Sequence, residues 1–292
     1  ENKGRVKKAE FYMFGTKEGI PFQVKYLTAA EELYFFGNTN TFLYSIDPGE
    51  HICELTDLRK LTIGAYGLTS LPESFKKLRN LEYLDLSSNN FQRLPEVLTP
   101  ENFPKLTALI LNANIRYTVV DLSNDTRENI GGFVEEEGFP VRLLLWEKLD
   151  TLRLSANYLQ GPLPTDDEMV ELLSQKGRTP EDLYWRSGDK NIKDSIAVTN
   201  NFFEVNDIPK VMPEMDFMAI NLNRLYGELP NWLLYHPKLD LWYPDLLIWS
   251  QEGRARNGNM AGFSNAPTNM NYYYDDLFVN KKFNPKNFTE EE

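Results

Sequence analysis

The sequence has little of the chemistry that most catalytic and metal sites need. Among its 292 residues there are one cysteine and two histidines, and these are Cys53, His51 and His236. One cysteine excludes a disulfide within the chain, and it leaves the redox compartment open. The two histidines are separated by most of the chain and have no metal-ligand motif around them. We therefore predict no catalytic residue, no metal site and no cofactor.

Positive charge and long apolar runs are also scarce. The chain has 31 Lys and Arg against 43 Asp and Glu, a net charge of −12. Nucleic acids and anionic membrane surfaces select basic patches, so both are excluded as partners. No apolar run approaches the roughly 18 residues of a membrane helix, so we predict no transmembrane segment. The sequence starts at Glu1 and not at Met, which leaves room for a removed leader or an upstream lipid anchor.

What the sequence does contain is a repeat. The stretch NYLQGPLP occupies positions 157–164, and NRLYGELP follows the same pattern at 223–230. Leucines or other apolar residues stand at −8, −5 and −3 from the first asparagine in both copies. The shared frame is LxxLxLxxNxLxGxLP, and a frame of this length that recurs is the signature of a repeat architecture.

The same frame fits other parts of the chain. Its asparagine slot falls at 16, 38, 66, 89, 114, 157, 201, 223 and 244. In the LxL core, buried and exposed side chains alternate as they do in a short strand. Strands from successive repeats are expected to stack as a parallel sheet, because each repeat buries its leucines only against its neighbours. Two steps of about double length predict insertions at about 115–148 and 165–190.

The asparagines are predicted to form a structural ladder. An asparagine amide has two donors and an acceptor, so it can pair with backbone groups that are stranded inside a turn. The alternative is that asparagine merely favours turns, but its fixed offset from the leucines favours the ladder. The predicted ladder residues are Asn38, Asn89, Asn114, Asn157, Asn201 and Asn223.

These motifs resemble the leucine-rich repeat family. The NxLxGxLP units are similar to the plant-receptor variety, and the Leu-Pro units at 68–72 and 91–95 to a shorter bacterial or intracellular variety. The general character is similar to secreted or cell-surface proteins of Bacteroidetes. The resemblance implies an α/β fold: a right-handed, horseshoe-shaped solenoid with a concave parallel sheet of about nine short strands and an irregular or helical convex side. We expect the repeat domain to span 1–250 and a C-terminal cap to span 251–292.

The two insertions have different patterns. Thr165 with Glu168 three residues later is a capping box, and Gly177 marks a helix end. A second helical start is predicted at Thr179, with Pro180 in the first turn. The insertion at about 115–148 is rich in glycine and acidic residues, so we expect an exposed excursion. Its 121–129 stretch has alternating oxygen ligands but lacks the glycine and glutamate of a calcium loop.

The register also predicts a binding surface. Residues at −6, −4 and −2 from the asparagine slot should point to the concave face. Phe14 and Phe36 have two interpretations, a shielded cross-strand pair or a platform for a ligand. The candidate partner-binding residues are Tyr12, Phe14, Tyr34, Phe36, Tyr83, Asp85, Asn112, Arg153, Phe217 and Trp242.

The resemblance implies a function in recognition and not in catalysis. We expect a non-enzymatic, secreted or cell-surface protein, with an outer-membrane lipoprotein as one form, that binds a protein or peptide. Two alternatives stay open: a glycan-binding or adhesin-like surface protein, and the recognition arm of a bacterial effector whose catalytic domain is absent. Cys53 close to His51 suggests a nucleophile and its base, but its apolar neighbours favour a buried structural residue.

Overall fold

The computed structural model describes residues 4–12, 19–37, 48–114, 117–121, 126–129, 132–186, 207–221 and 223–239. Within them the strands are β1 (Lys8–Phe11), β2 (Glu32–Phe36), β3 (Lys60–Gly64), β4 (Tyr83–Asp85), β5 (Ala108–Ile110), β6 (Tyr117–Asp121), β7 (Thr126–Asn129), β8 (Thr151–Arg153), β9 (Gln160–Pro162), β10 (Phe217–Ala219) and β11 (Arg224–Tyr226). The helices are α1 (Asp166–Gln175) and α2 (Asn231–Leu234). Short 3-10 helices cover Phe22–Tyr26, His51–Glu54, Glu73–Lys77, Val141–Leu145 and Pro180–Asp182.

The repeats build one parallel sheet, as predicted. Seven strands pair in the order β1-β2-β3-β4-β5-β8-β10, and the four pairings from β1 to β5 are all parallel. The chain divides into two compact units. The first unit is Glu1–Glu136 with Leu152–Leu159, and the second is Glu137–Thr151 with Gln160–Glu292. Within the described residues, no helix is long and apolar enough to cross a bilayer.

Five strands of the sheet, β2, β3, β4, β5 and β8, bury their repeat leucine completely. Leu33, Leu61, Leu84, Leu109 and Leu152 lie at equivalent positions and have no exposed area. Burying one such side chain stabilises the fold by about 1.5–3 kcal/mol. A three-residue strand cannot enclose a leucine by itself, so the neighbouring repeat must supply the contact. The alternation of leucine with exposed residues therefore decides which side of the sheet faces the core.

The ladder asparagines that the structure describes bind backbone groups inside the turns. Buried Asn89 donates through Nδ2 to the carbonyls of Ile63 (2.6 Å) and Leu86 (2.8 Å). Its Oδ1 accepts the N–H groups of Tyr66 (3.0 Å) and Leu68 (3.1 Å) of the preceding repeat. One side chain thus pairs with four backbone groups in two repeats.

The other described asparagines repeat this geometry in part. Asn114, Asn157 and Asn223 are fully buried, and each donates to the carbonyl three residues earlier at 2.6–2.8 Å. The Oδ1 of Asn157 also accepts the N–H of Asn114 at 3.0 Å. Asn38 and Asn201 lie outside the described residues.

The residue before the asparagine slot, which Tyr66 occupies in one repeat, has a left-handed backbone that the sequence analysis did not predict. Ala65, Ser88, Ala113 and Ala156 have φ between 55° and 62°. A non-glycine residue in this conformation costs roughly 1–2 kcal/mol. The hydrogen bonds of the buried asparagine offset this cost, because the left-handed residue turns the chain so that the amide points inward.

The first repeat is displaced from its predicted alignment. The slots at 16 and 38 place Tyr12 and Tyr34 at the same offset, so the sequence predicts that these two residues lie side by side. In the structure Glu10 lies beside Tyr34, and Phe11 beside Phe35, so the prediction is wrong by two residues. A shift of two keeps every side chain on its original face, so hydrophobic alternation cannot detect it.

Strand β10 follows β8 directly in the order of the sheet. The N–H of Phe217, which begins β10, donates to the carbonyl of Asp150, directly before β8, at 2.9 Å. The repeat predicted around Asn201 lies outside the described residues. Residues 187–206 and 240–292, which include the predicted repeat at 244 and the cap, lie outside the described residues.

The first insertion is not simply an exposed excursion. It contains the antiparallel pair β6–β7, but Phe133 is buried in the first unit, and Leu143, Leu144 and Trp146 are buried in the second. The prediction failed because the acidic and glycine residues at 131–138 dominate the composition, whereas the apolar residues around them decide the packing.

The second insertion folds largely as predicted. Thr165 caps α1, and its hydroxyl and the Glu168 carboxylate complete the capping box. Gly177 follows the helix with φ 89°. At the second predicted start the Thr179 hydroxyl binds the Asp182 carboxylate at 3.3 Å and makes no cap bond to the backbone.

The repeated octapeptide does more than turn the chain. The fourth to sixth residues of the first copy form β9, and the second to fourth residues of the second copy form β11. The two strands pair in parallel as a second small sheet, with Gly161 beside Leu225. The Asp166 carboxylate, which opens α1, accepts the N–H groups of Asn231 and Trp232 at the start of α2. The two copies therefore stack on each other through backbone pairing and a shared helix cap.

Replacing Asn89 with alanine should destabilise the fold. Four buried backbone groups lose their partner, and we expect a loss of about 1–3 kcal/mol in the free energy of unfolding. Urea titration followed by circular dichroism measures it. The control is Asn80→Ala, whose half-buried side chain binds the Thr56 carbonyl and the Lys105 ammonium at the surface and should cost less than the loss of Asn89. Equal midpoints for the two variants would contradict the ladder.

Candidate binding surface on the sheet

One face of the sheet is free of the core, and we call it the open face. It bears the side chains that alternate with the buried leucines. In the first unit these are Lys8, Glu10 and Tyr12 of the first repeat, Glu32, Tyr34 and Phe36 of β2, Lys60, Thr62 and Gly64 of β3, Tyr83, Asp85 and Ser87 of the β4 repeat, and Ala108, Ile110 and Asn112 of the β5 repeat. Since their backbones are used in strand pairing, the side chains supply the chemistry of this face.

An aromatic step stands at the β1 edge of the open face. The rings of Tyr12 and Phe36 stack at 5.2 Å with an interplanar angle of 11°, and Tyr12 is 66% exposed. On the opposite side of the sheet Phe11 stacks on Phe35 at 4.8 Å. The two-residue shift of β1 thus gives Phe36 an exposed partner. Predicted Phe14 lies outside the described residues.

Charged groups of both signs border the aromatic step. Lys8 pairs with Glu10 at 2.8 Å, and Lys60 with Glu32 at 3.2 Å. Hydrogen bonding from each lysine holds the pKa of its glutamate below the usual value. The Lys8 ammonium also lies 5.0 Å above the ring of Tyr34. Such exposed pairs contribute little to folding stability, so a partner can rearrange them without unfolding the sheet.

Two tyrosines bind carboxylates with their hydroxyls. The Tyr12 hydroxyl donates to Glu10 Oε2 at 2.6 Å, and the Tyr34 hydroxyl donates to Glu32 Oε2 at 3.0 Å. The carboxylates therefore fix the orientation of the rings. Tyr34 is half-buried, and burial is the main cause that raises its pKa.

Tyr83 and Asp85 form the centre of the face in the first unit. Burial, followed by the charge of Asp85, raises the pKa of Tyr83 to about 12. Asp85 Oδ1 accepts the N–H of Ser87 at 2.9 Å. The Tyr83 hydroxyl lies 3.5 Å from Asp85 Oδ2, which is too long for a strong hydrogen bond.

The remaining candidates are distributed differently from the prediction. Arg153 is exposed and Asn112 half-buried in the first unit, and Asn112 Oδ1 accepts the N–H of Ser155 at 2.9 Å. Phe217 is half-buried in the second unit. Trp242 lies outside the described residues. The structure therefore groups seven of the ten candidates on the open face of the first unit: Tyr12, Tyr34, Phe36, Tyr83, Asp85, Asn112 and Arg153.

The sequence analysis did not assign Lys8 to the open face. Under the predicted alignment it lies before the first strand, whereas the structure places it beside Glu32. The signal that could have found it is charge, because opposite charges on neighbouring strands favour one register over another. With the two-residue shift, Lys8, Glu32 and Lys60 form an alternating row.

The described residues do not assemble a catalytic or metal site. Within the described ranges no group of three or more His, Cys, Asp or Glu side chains is arranged to hold a metal ion. Cys53 is completely buried, and the nearby His51 Nδ1 lies 3.9 Å from a glutamate, Glu54, on the same 3-10 helix. The pair does not form an accessible nucleophile with its base.

His236 has a structural role. It is buried, and its Nδ1 accepts the N–H of Leu239 at 2.9 Å. Its Nε2 lies 3.1 Å from the carbonyl of Val211, so this nitrogen carries the proton and donates it. The ring packs edge-on against Trp185 at 5.4 Å. The histidine thereby joins two backbone segments of the second unit.

Cys53 should be unreactive in the folded protein. Because its side chain is fully buried and it is the single cysteine of the chain, Ellman's reagent should label it only after unfolding. Cys53→Ser should lower stability by about 1–3 kcal/mol, because a hydroxyl replaces a thiol in an apolar site. Complete labelling under native conditions at the rate of a free thiol would show that the site is open.

Tyr83 should ionise at a higher pH than a tyrosine in an unfolded chain. The folded chain holds this proton more tightly, because its pKa is about 12 against about 10 in an unfolded chain. Its contribution to stability is therefore present below pH ~10 and is lost as the pH rises towards ~12. Ultraviolet titration of tyrosinate should show one late equivalent that Tyr83→Phe removes and that Asp85→Asn moves to lower pH. A late step that persists in Tyr83→Phe would contradict the assignment.

Comparison with known proteins agrees with the repeat geometry. Residues 56–115 match the family described as leucine rich repeat. No curated protein is similar enough in sequence to match the chain. A leucine-rich repeat protein of Leptospira interrogans is 19% identical over 76% of this chain and 39% of its own, with a TM-score of 0.45.

Two plant structures are similar at the same level. The Arabidopsis receptor kinase HAESA, solved with a peptide hormone and a co-receptor, is 15% identical over 82% of this chain and 34% of its own, with a TM-score of 0.44. A plant ice-binding protein is 20% identical over 82% of this chain and 72% of its own, with a TM-score of 0.41. The chain thus spans well under two thirds of the Leptospira protein and of the receptor. The parallel strands, the asparagine ladder and the match at 56–115 show that the chain contains leucine-rich repeats.

Proposed function

We propose that this protein recognises a peptide, or a segment of another protein, on the open face of its first unit. The observation that carries the proposal is the exposed aromatic step next to charges of both signs, where Tyr12 is 66% exposed and stacks on Phe36. Soluble proteins seldom keep such a cluster on a rigid sheet without a partner.

The face has the composition of a binding surface. Tyrosine and arginine are the types most often found as interface hot spots, because they combine contact area with a polar group. Tyr34, Tyr83 and Arg153 supply these types. The completely buried leucines beneath them hold the strands in place, so binding orders few additional groups and loses little affinity to entropy.

The proposal includes a non-enzymatic role at the cell surface or outside the cell. It rests on the open face and on the family resemblance, in which the sheet is the binding surface. A peptide partner is favoured over a glycan because the aromatic rings are accompanied by ion pairs, Lys8–Glu10 and Lys60–Glu32, which charged peptide side chains can replace. The bacterial origin and a lipid anchor remain parts of the sequence prediction.

Panning of a random peptide library against the purified chain tests this function. Enriched peptides should lose about 1–3 kcal/mol of binding free energy in Tyr34→Ala and in Arg153→Ala, measured by calorimetry at unchanged thermal stability. Tyr226→Ala is the matched control, because Tyr226 is 54% exposed and lies on β11, outside this face. Peptides that bind all variants equally, and instead depend on exposed α1 residues such as Glu171, would place the function on the insertion.

A further inference from the structure

The first four repeats present three carboxylates on the open face, and two of them have an ammonium beside them. Glu10 pairs with Lys8 at 2.8 Å and Glu32 with Lys60 at 3.2 Å. The third is Asp85, whose partners are the N–H of Ser87 and, at 3.5 Å, the hydroxyl of Tyr83. In the described part of the chain no lysine, arginine or histidine forms an ion pair with Asp85. This acidic group is therefore available to a cation from outside.

Small residues make Asp85 accessible from the β1 side. Thr62 of β3 lies directly beside it in the register, and Tyr34 lies beyond Thr62. Gly64, the next open-face residue of β3, has no side chain between Phe36 and Ser87. Only the short residues Thr62 and Gly64 therefore lie on β3 between the aromatic step and Asp85. The larger side chains of Tyr34 and Tyr83 lie on the neighbouring strands β2 and β4.

Lys8 shows that a carboxylate beside a tyrosine ring on the open face can bind an ammonium group. The Lys8 ammonium pairs with Glu10 at 2.8 Å and lies 5.0 Å above the ring of Tyr34. A carboxylate with a tyrosine ring beside it offers a cation both a charge-assisted hydrogen bond and a π face. Asp85 offers the same combination with Tyr83, which lies two residues before it on β4 and whose hydroxyl is 3.5 Å from the carboxylate.

The negative net charge of the chain also favours a ligand with a basic side chain. The chain carries a formal charge of −12, so its field attracts basic ligands and repels acidic ones at long range. A basic side chain that reaches Asp85 would neutralise a half-buried carboxylate, whereas an acidic one would add to the repulsion.

The distance between Asp85 and the aromatic step determines how far apart the two matching side chains of a bound peptide must be. Asp85 lies two strands from Phe36 and one residue pair away along the strand direction. With strands about 4.8 Å apart and about 6.8 Å per residue pair, the two positions are about 12 Å apart. In an extended peptide, side chains four residues apart point to the same side and lie about 13 Å apart.

We infer that the bound peptide carries a lysine or arginine that pairs with Asp85 and, four residues away, an aromatic side chain that packs on Tyr12 and Phe36. This inference rests on the proposed function and adds to it the chemistry and spacing of the ligand. Asp85 is the residue that selects for the basic side chain, and the aromatic step selects for the ring.

Four blocked pentapeptides test the inference on the full chain. One has phenylalanine first and lysine last, separated by serine, glycine and serine, and a second has the reverse order. In the other two norleucine replaces the lysine, which keeps the length of the side chain and removes its charge. Affinities are measured by NMR titration at low and high salt, against the wild type, Asp85→Asn and Asp57→Asn.

Asp85→Asn keeps an oxygen for the Ser87 N–H and removes only the charge. At least one lysine peptide should bind, weaken about tenfold in Asp85→Asn, and weaken with added salt. The norleucine peptides should bind weakly and respond to neither change. Asp57→Asn, an equal charge change in an exposed turn of the same unit, should alter affinity less than about twofold, because screening removes distant charge effects.

Several results would overturn the inference. It is wrong if no lysine peptide binds at millimolar concentration, if norleucine binds as well as lysine, or if Asp57→Asn weakens binding as much as Asp85→Asn. Failure of the proposed function looks different, because the library peptides would then ignore Tyr34→Ala and Arg153→Ala. If those variants weaken library peptides while Asp85→Asn has no effect on any lysine peptide, the open face binds its partner without a basic residue at Asp85.

Discussion

The structure depends on the fact that a repeat with a three- to five-residue strand cannot bury its own leucines. Each repeat gains its core only when a neighbour covers it, and the asparagine side chain provides the link between them. Asn89 accepts two N–H groups of the preceding repeat and donates to a carbonyl in each of the two repeats. Pairing of this kind fixes both the spacing and the direction of successive strands. The left-handed residue before each described ladder asparagine of the first unit is the local strain that this pairing maintains.

The open face is a consequence of the same constraint. Because the leucines take one side of the sheet, residues on the other side are released from packing and can carry tyrosine, lysine and carboxylate in close succession. Their mutual pairs are exposed and weak, which suits a surface that exchanges internal partners for external ones. Asp85 differs from Glu10 and Glu32 because no described lysine, arginine or histidine forms an ion pair with it, and the charge of Arg153 acts on the neighbouring Tyr83.

The second unit shows how the same motif can serve structure instead. The octapeptides at 157–164 and 223–230 stack through β9 and β11, and Asp166 caps α2. His236 is held between backbone groups. Many polar residues there bind backbone groups, whereas on the open face of the first unit exposed side chains bind one another, as Tyr12 binds Glu10.

The sequence by itself determined the repeat, the parallel sheet, the buried leucines and the capping box at Thr165, because each depends on local periodicity or on residues a few positions apart. It also placed Tyr34, Tyr83 and Asp85 on one face, since alternation decides the side of a strand. Only the tertiary structure decided the register of β1, because a shift of two residues leaves alternation unchanged and cross-strand contacts such as Phe11–Phe35 choose between the alternatives. The same holds for the direct pairing of β10 with β8 and for the burial of Phe133 and Trp146. These depend on contacts between distant segments, about which local periodicity and composition carry no information.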